Sequence, residues 1–543
     1  MSKISKAVEK IRENEILHSE EIVKNFMGGD SYKLNPIDTL KIIAASSFFG
    51  EASYYRKDVK DGRYSWEEKF SDSFIKENFS EYGGKTTTEI FTEAIDKALD
   101  YDFTATLELA VKLRNEYNMR LNPQVIMVRA AIHPLRATWT KENPGKFFEY
   151  EEKVMARADE PMTQLAYYIF ANNGKNNMPT LLKKSISKKL SSLDKYAVNK
   201  YKNHEIGMIN AVRITHANSE ILNELMKTGS VKLEEQKQTW EQKRSVGASW
   251  KDILSEDTFG HMALLRNLRN IFTEVDDIEL CKNVMEKLKS GVLKGKQFPF
   301  RYYTAYKMIE ESTVNHKPII LDALEECIDI SIDNLPKLKG KTICLSDNSG
   351  SAWGTIPSEY GTVTVAEIDN LSSVIAAKCS DEGYVGKFGN DIIEFPITKR
   401  TGALKFTKEI SKNEYEDVGG STEGGIWKFF KKAIDKKIVY DNIFIFSDQQ
   451  AGTSGLYGTS RDLQEYKEAG YEDNRMINVY KLVLDYRKMV NPKVNVYSIQ
   501  TAGYDNVLLP QNSYRCSLLT GWTGKEIVYA DQINKIFDQL DNK

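Results

Sequence analysis

The stretch LSDNSGSAWGT sets Asp347, Ser349 and Ser351 at alternate positions, just past the short apolar run from Thr342 to Leu345. Alternation along an extended turn lets the three side chains send oxygens toward one point, and oxygen is the donor that hard divalent cations take. Asp, Asn, Ser and Gly are also common turn residues, so the same stretch reads as a plain turn. Two further segments carry matching groups. DVGGSTEGG offers Thr422, with Ser421 beside it as a substitute, and IFIFSDQQ carries Asp448 at the end of an apolar run. Asp347, Ser349, Ser351, Thr422 and Asp448 are thus the candidate ligands of magnesium or another divalent cation. The chain has no histidine after His316 and no nucleophile–base pair near Asp347. Binding, or the pinning of loops, is the expected role, and an enzyme is not expected.

A second chemistry is carried by positive charge. LLKKSISKKL puts Lys184 and Lys188 four apart, flanked by Lys183 and Lys189. From Lys175 to Arg213 only Asp194 and Glu205 oppose the basic residues. Such a face neutralises phosphates and releases counterions, although a lysine run is also what a solvated helix face looks like. HMALLRNLRNIF carries Arg266 and Arg269 three apart beside a stripe of Met262, Leu265, Leu268 and Phe272. KGKQFPFRYY sets Lys296 and Arg301 among aromatics, the combination that holds single strands by phosphate contact and base stacking. Aromatics at that spacing also make core. His216 is a lone histidine, with packing as its plain alternative, and RAAIHPLR around His133 reads as a helix end at Pro134.

These groups sit on two kinds of element. Up to about Leu335, apolar residues recur at helical spacing, as in PIDTLKIIAASSFF, TATLELAVKLRNEY and MTQLAYYIF. Polar breaks with Pro, Gly or Asn separate them, and no strand run intervenes. That rhythm predicts a stacked helical array. After Pro336 the pattern alternates: KTICLS, GYVGKFG, NDIIEFPI, DNIFIFSD, KVNVYSIQ and RCSLLTGW as strands, with helices between them. Alternation of this kind predicts an α/β domain with a mostly parallel sheet, whose ligands sit beyond the carboxyl ends of the strands. Asp347 and Asp448 both fall at such ends. The expected division is 1–335 and 336–543.

The totals exclude some classes. The 543 residues are 41% hydrophobic and 28% charged, with a net charge of −2, so a nucleic-acid surface must be a local patch. Five scattered cysteines without a CxxC pair argue against a disulfide framework or a zinc knuckle and fit a reducing cytoplasm. No HExxH occurs. No run approaches the ~18 apolar residues of a membrane span. A cytoplasmic monomer away from the membrane is expected.

The Asp-x-Ser-x-Ser cluster, the glycine-rich threonine and the strand-end aspartate, each on a strand-to-helix loop, resemble the von Willebrand factor A-type (vWA) domain and its metal-ion-dependent adhesion site (MIDAS). Ala352 after the second serine and the extra Ser421 depart from that pattern. In the helical half, IIAASSFFGEASYYR from Ile42, KYKNHEIGMINAVRITHAN, MALLRNLRNIF and KGKQFPFRYYTAYKMIE resemble, in order, segments of the TROVE-domain proteins of the Ro ribonucleoprotein family. The resemblance covers most of the chain. It implies an all-α, HEAT-like helical ring, the TROVE module, followed by a Rossmann-like α/β vWA domain. It also implies small non-coding, Y-like RNA on an outer basic surface, with Lys183 and Lys184 the best match and His216 near the RNA-facing surface. Single-stranded or misfolded RNA ends would enter a central hole, in RNA quality control or processing, and in bacteria a nuclease can be tethered. The rival expectation is a protein-interaction module whose A-type domain binds a partner carboxylate through magnesium.

Overall fold

The computed structural model describes residues 22–24, 30–32, 35–45, 87–116, 119–172, 177–203, 206–233, 239–256, 259–354, 363–448, 460–471, 477–501, 509, 514–520 and 525–541. Helix follows helix from Pro36–Ala45 to Lys317–Ile332, as the apolar rhythm predicts. Local chemistry sets many of their starts. Asp102 opens Phe103–Asn115 by accepting the Ala105 N–H at 2.9 Å, and Thr239 and Gln242 form a reciprocal capping box. Pro299 stands at the first position of Pro299–Glu311, where its missing N–H costs nothing. Helix Asn122–Ile132 stops at His133, ahead of Pro134. There Arg129 pairs with Asp96, and His133 Nε2 lies 3.4 Å from Asp100, so RAAIHPLR is a helix end held by neighbouring acids. The segment 46–56 of the Ile42 motif lies outside the described residues.

One element departs from the all-helical expectation. β1 (Ile22–Lys24) pairs antiparallel with β2 (Asp30–Tyr32). Strands of three residues are too short for alternation to register as a period.

The second half holds a six-stranded sheet in the order β5-β4-β3-β6-β7-β8. Its strands are β3 (Leu338–Asp347), β4 (Ser380–Phe388), β5 (Ile392–Ile397), β6 (Asn442–Ser447), β7 (Asn495–Gln500) and β8 (Cys516–Thr520). All pairings are parallel except β4 with β5. The β4–β5 link is too short for a crossover, so that pair closes as a hairpin.

Period-2 alternation divides the sheet between two cores. Ile343, Leu345, Ile443, Ile445 and Val496 face a core with helices Glu423–Asp435 and Val479–Met489. Cys344, Phe444, Phe446, Tyr497 and Ile499 face the other way, into a core continuous with that of the helical half. Helix Val365–Lys378 is buried on nearly every side, between the sheet and helix Ala403–Ser411.

The α/β domain meets the helical half at both ends of the run. Lys378 and the Ala403 N–H (3.1 Å) both bind Asp329 on Lys317–Ile332, and Lys408 Nζ donates to Tyr306 Oη at 2.6 Å. On the other side, helix Pro36–Ala45 packs against the final helix, Lys525–Asp541. A helical run that begins and ends against the same domain is a ring closed by that domain.

Candidate functional site

Strand β3 delivers Asp347 to the carboxyl edge of the sheet, with β6 ending beside it. The Asp347 carboxylate accepts from the Ser349 N–H (2.9 Å) on one oxygen and from Ser447 Oγ (2.6 Å) on the other. Ser349 Oγ and Ser351 Oγ are 3.2 Å apart. The Asn348 N–H donates to the Phe388 carbonyl (2.8 Å), and the Gly350 N–H to that of Gly420 (3.0 Å). These bonds draw the loop after β3 against the loop after β4 and against DVGGSTEGG.

The glycines of these loops are there because the backbones nearly touch. A Cβ on Gly389 would stand 1.9 Å from the Gly419 carbonyl oxygen, and one on Gly424 would stand 2.4 Å from that of Asn390. Any larger residue would push the loops apart.

Asp347, Ser349, Thr422 and Asp448 are buried, and Ser351 is exposed. Thr422 occupies the N-cap of Glu423–Asp435 but makes no side-chain cap bond. Ser421 Oγ instead donates to Glu423 at 2.6 Å. Thr422 therefore keeps its hydroxyl for other use, while that of Ser421 is committed.

Burial pushes the Asp347 carboxyl above the usual carboxylate range, and the neighbouring Asp448 carboxylate pushes it further. Two buried acids side by side repel unless a cation or a proton lies between them. Among the described residues no group of three or more His, Cys, Asp or Glu side chains could hold an ion. The donors at hand are two carboxylates and hydroxyls, all oxygen. That set suits magnesium and similar hard cations and suits zinc or copper poorly.

Two groups here escape a reading of the sequence. Ser447 looks like the last residue of an apolar strand, yet it is the donor that orients Asp347. Asp369 lies in a helix that shows no polar stripe, and it is fully buried near Asp347 and Asp448. The signal for it was the run Asp-Asn-x-Ser-Ser inside an otherwise apolar helix.

The basic residues fall on two helix pairs, except Lys296, which caps the short helix Val292–Gly295. Helix Thr180–Ser191 packs against Met208–Thr215. It carries Lys184 and Lys188 exposed, with Lys183 and Lys189 half-exposed. Lys188 pairs with Glu152. Among the described residues, Lys183, Lys184 and Lys189 have no ion pair, and neither has the exposed Arg213. His216 is exposed and ends its helix in the left-handed conformation (φ 56°). Lys195 is taken by Glu224 at 3.7 Å. Lys175 and Glu205 lie outside the described residues.

The second pair is His261–Glu274 against Pro299–Glu311. Arg266, Arg269 and Lys296 are exposed and without an ion pair among the described residues. Arg301 is half-buried, and burial lowers its guanidinium to about 10. Phe300 and Tyr302 belong to the core, and Tyr302 Oη is 2.7 Å from His261 Nε2. Asn267 is buried and donates to the Ala263 carbonyl of its own helix at 2.8 Å, so its amide does not join neighbouring helices.

No family model matches the sequence, and no curated protein matches it. Among solved structures, the fold is similar to the crystal structure of the Deinococcus radiodurans Ro (RSR) protein. The TM-score is 0.58 at 13% identity, covering 81% of this chain and 93% of that one. The chain thus has the architecture of a Ro protein, helical ring and α/β domain together, as the sequence resemblance implies. At that identity the likeness concerns the fold. Among the described residues no helix is long and apolar enough to cross a membrane.

Proposed function

We propose that this chain is an RNA-binding scaffold of the Ro type. The observation that carries the reading is the Ro architecture spanning 81% of the chain, with unpaired lysines exposed along helix Thr180–Ser191. Lys183, Lys184, Lys188, Lys189 and Arg213 hold a small non-coding, Y-like RNA by its phosphates. Arg266, Arg269, Lys296 and Arg301 meet single-stranded or misfolded ends, and a nuclease is a further partner. The chain works as a monomer in the cytoplasm and forms and breaks no covalent bond.

Magnesium or a similar cation suits Asp347, Ser349, Ser351, Thr422 and Asp448. It would supply positive charge that relieves the Asp347–Asp448 repulsion and ties three loops together. The rival reading, capture of a partner carboxylate through that cation, draws on the exposure of Ser351 at the edge of the cluster.

The test is purification of the full chain from its host with sequencing of the RNA that accompanies it. A defined set of small RNAs is expected, lost when Lys183, Lys184, Lys188 and Lys189 are changed to Glu. Retention of the same RNA by that variant sinks the RNA reading. Protein partners lost in Asp347→Ala, with no RNA recovered, would favour the rival.

A further inference from the structure

Among the described residues, Asp369 stands out as a buried acid whose place is unexplained. It sits on helix Val365–Lys378, next to Asn370. The Asn370 amide exchanges hydrogen bonds with Asn348 (2.8 and 3.1 Å) and accepts from Ser346 Oγ at 2.7 Å. That network pins the helix beneath the end of β3. Asp369 itself is fully buried, and neither carboxylate oxygen has a hydrogen-bond partner. The Thr501 hydroxyl lies close, but its one proton goes to the Ser447 carbonyl at 3.0 Å. The charged neighbours that Asp369 feels are Asp347 and Asp448, both acids, and each makes its ionisation harder.

Leaving a buried carboxyl unpartnered costs stability. Such a group calls for a ligand that the protein atoms do not supply. Asp369, Asp347 and Asp448 do not form a cluster that could hold one ion among them, so Asp369 would act on an ion from outside its direct ligands.

Resting on the cation reading above, we propose that Asp369 is the outer-layer acid of this cation site. Its carboxylate accepts hydrogen bonds from water that a hard divalent cation keeps when Asp347, Ser349 and Asp448 bind it. Magnesium gives up its water reluctantly, so a site for it gains from acceptors placed beyond direct reach. The third negative charge also has a consequence. With the cation bound and all three acids ionised, the site would carry a net charge of −1, which favours fastening the loops over recruiting an anionic partner.

The experiment is a manganese titration of the full chain, by electron paramagnetic resonance and calorimetry, on the wild type, Asp369→Asn, Asp369→Ala and Asp347→Asn. Asp369→Asn and Asp369→Ala should bind manganese about tenfold or more weakly than the wild type. The metal-free melting temperature of Asp369→Asn should rise, because a buried unpartnered acid has gone, while the manganese-induced rise should shrink. That opposite movement is not expected of a residue that only packs. Wild-type affinity in both Asp369 variants overturns the proposal and leaves the cation site standing. Absence of manganese binding by the wild type overturns both and leaves the RNA reading untouched.

Discussion

The helical half and the α/β domain treat charge in opposite ways. On helix Thr180–Ser191 positive groups stand in water, mostly unpaired, on long flexible side chains. At the end of β3 and β6 negative groups are buried, held by glycine-tight loops and by hydroxyl donors. The first arrangement costs little to keep and suits a ligand that brings many charges at once. The second is costly without a counter-charge and suits one small cation. Burial alone is not the distinguishing mark. Glu151, in the helical half, is also fully buried and is raised to about 8. It lies among amides instead of acids: Gln164 Nε2 donates to it at 2.8 Å and to Gln124 at 2.9 Å. A lone buried acid among amides can sit neutral. Adjacent buried acids point to a ligand.

Charge reversal on the basic helix should have the largest effect. Changing Lys183, Lys184, Lys188 and Lys189 to Glu should weaken RNA binding by roughly 100-fold or more at low salt, read by fluorescence anisotropy. A loss under threefold would mean that the RNA sits elsewhere. Next comes Asp347→Asn. It should remove the melting-temperature rise produced by magnesium, a stabilisation of about 2.7 kcal/mol at one hundred times the Kd, while RNA affinity stays as in the wild type. A variant still stabilised by magnesium would break the contrast between the two sites.

Glu151→Gln sharpens it. The folded-state value is raised from 4.5 to about 8 by burial, so the neutral acid's contribution is full below about pH 4.5 and is lost as pH rises to about 8. The glutamine variant should melt higher than the wild type at pH 8 and show a flatter stability profile from pH 5 to 8. An unchanged profile would mean that Glu151 is ionised and paired. The smallest effect is expected from Glu152→Gln. Its pair with Lys188 is exposed on both sides and is worth about 0–1 kcal/mol. Thermal stability should barely move, and RNA affinity should rise by no more than a few-fold. A large stability loss would show that the lysine face is built as an internal salt-bridge surface.

Much of this was legible in the residues. The helical rhythm, the strand–helix alternation after Pro336 and the aromatic core of Pro299–Glu311 follow from periodicity and breakers. The place of Asp347 and Asp448 at strand ends follows from where the apolar runs stop. Other features depend on contacts far apart in the chain. The Ser447 bond to Asp347 spans β6 and β3. The commitment of Ser421 to Glu423, which leaves Thr422 available, is decided by loop geometry. Asp369 was invisible for a physical reason: Val365–Lys378 lies between the sheet and other helices, has no solvent face, and so shows no stripe that would mark an acid as buried. Helix Ala403–Ser411 and the docking of Pro36–Ala45 on Lys525–Asp541, which closes the ring, likewise leave no local mark.

The most direct test is the salt dependence of binding between the full chain and the RNA that copurifies with it. Phosphate capture by exposed lysines predicts that log K falls steeply and linearly with log salt, and that reversing the four lysines makes the slope shallower by roughly four. A wild-type slope near zero, or one unchanged by the four substitutions, would contradict the account.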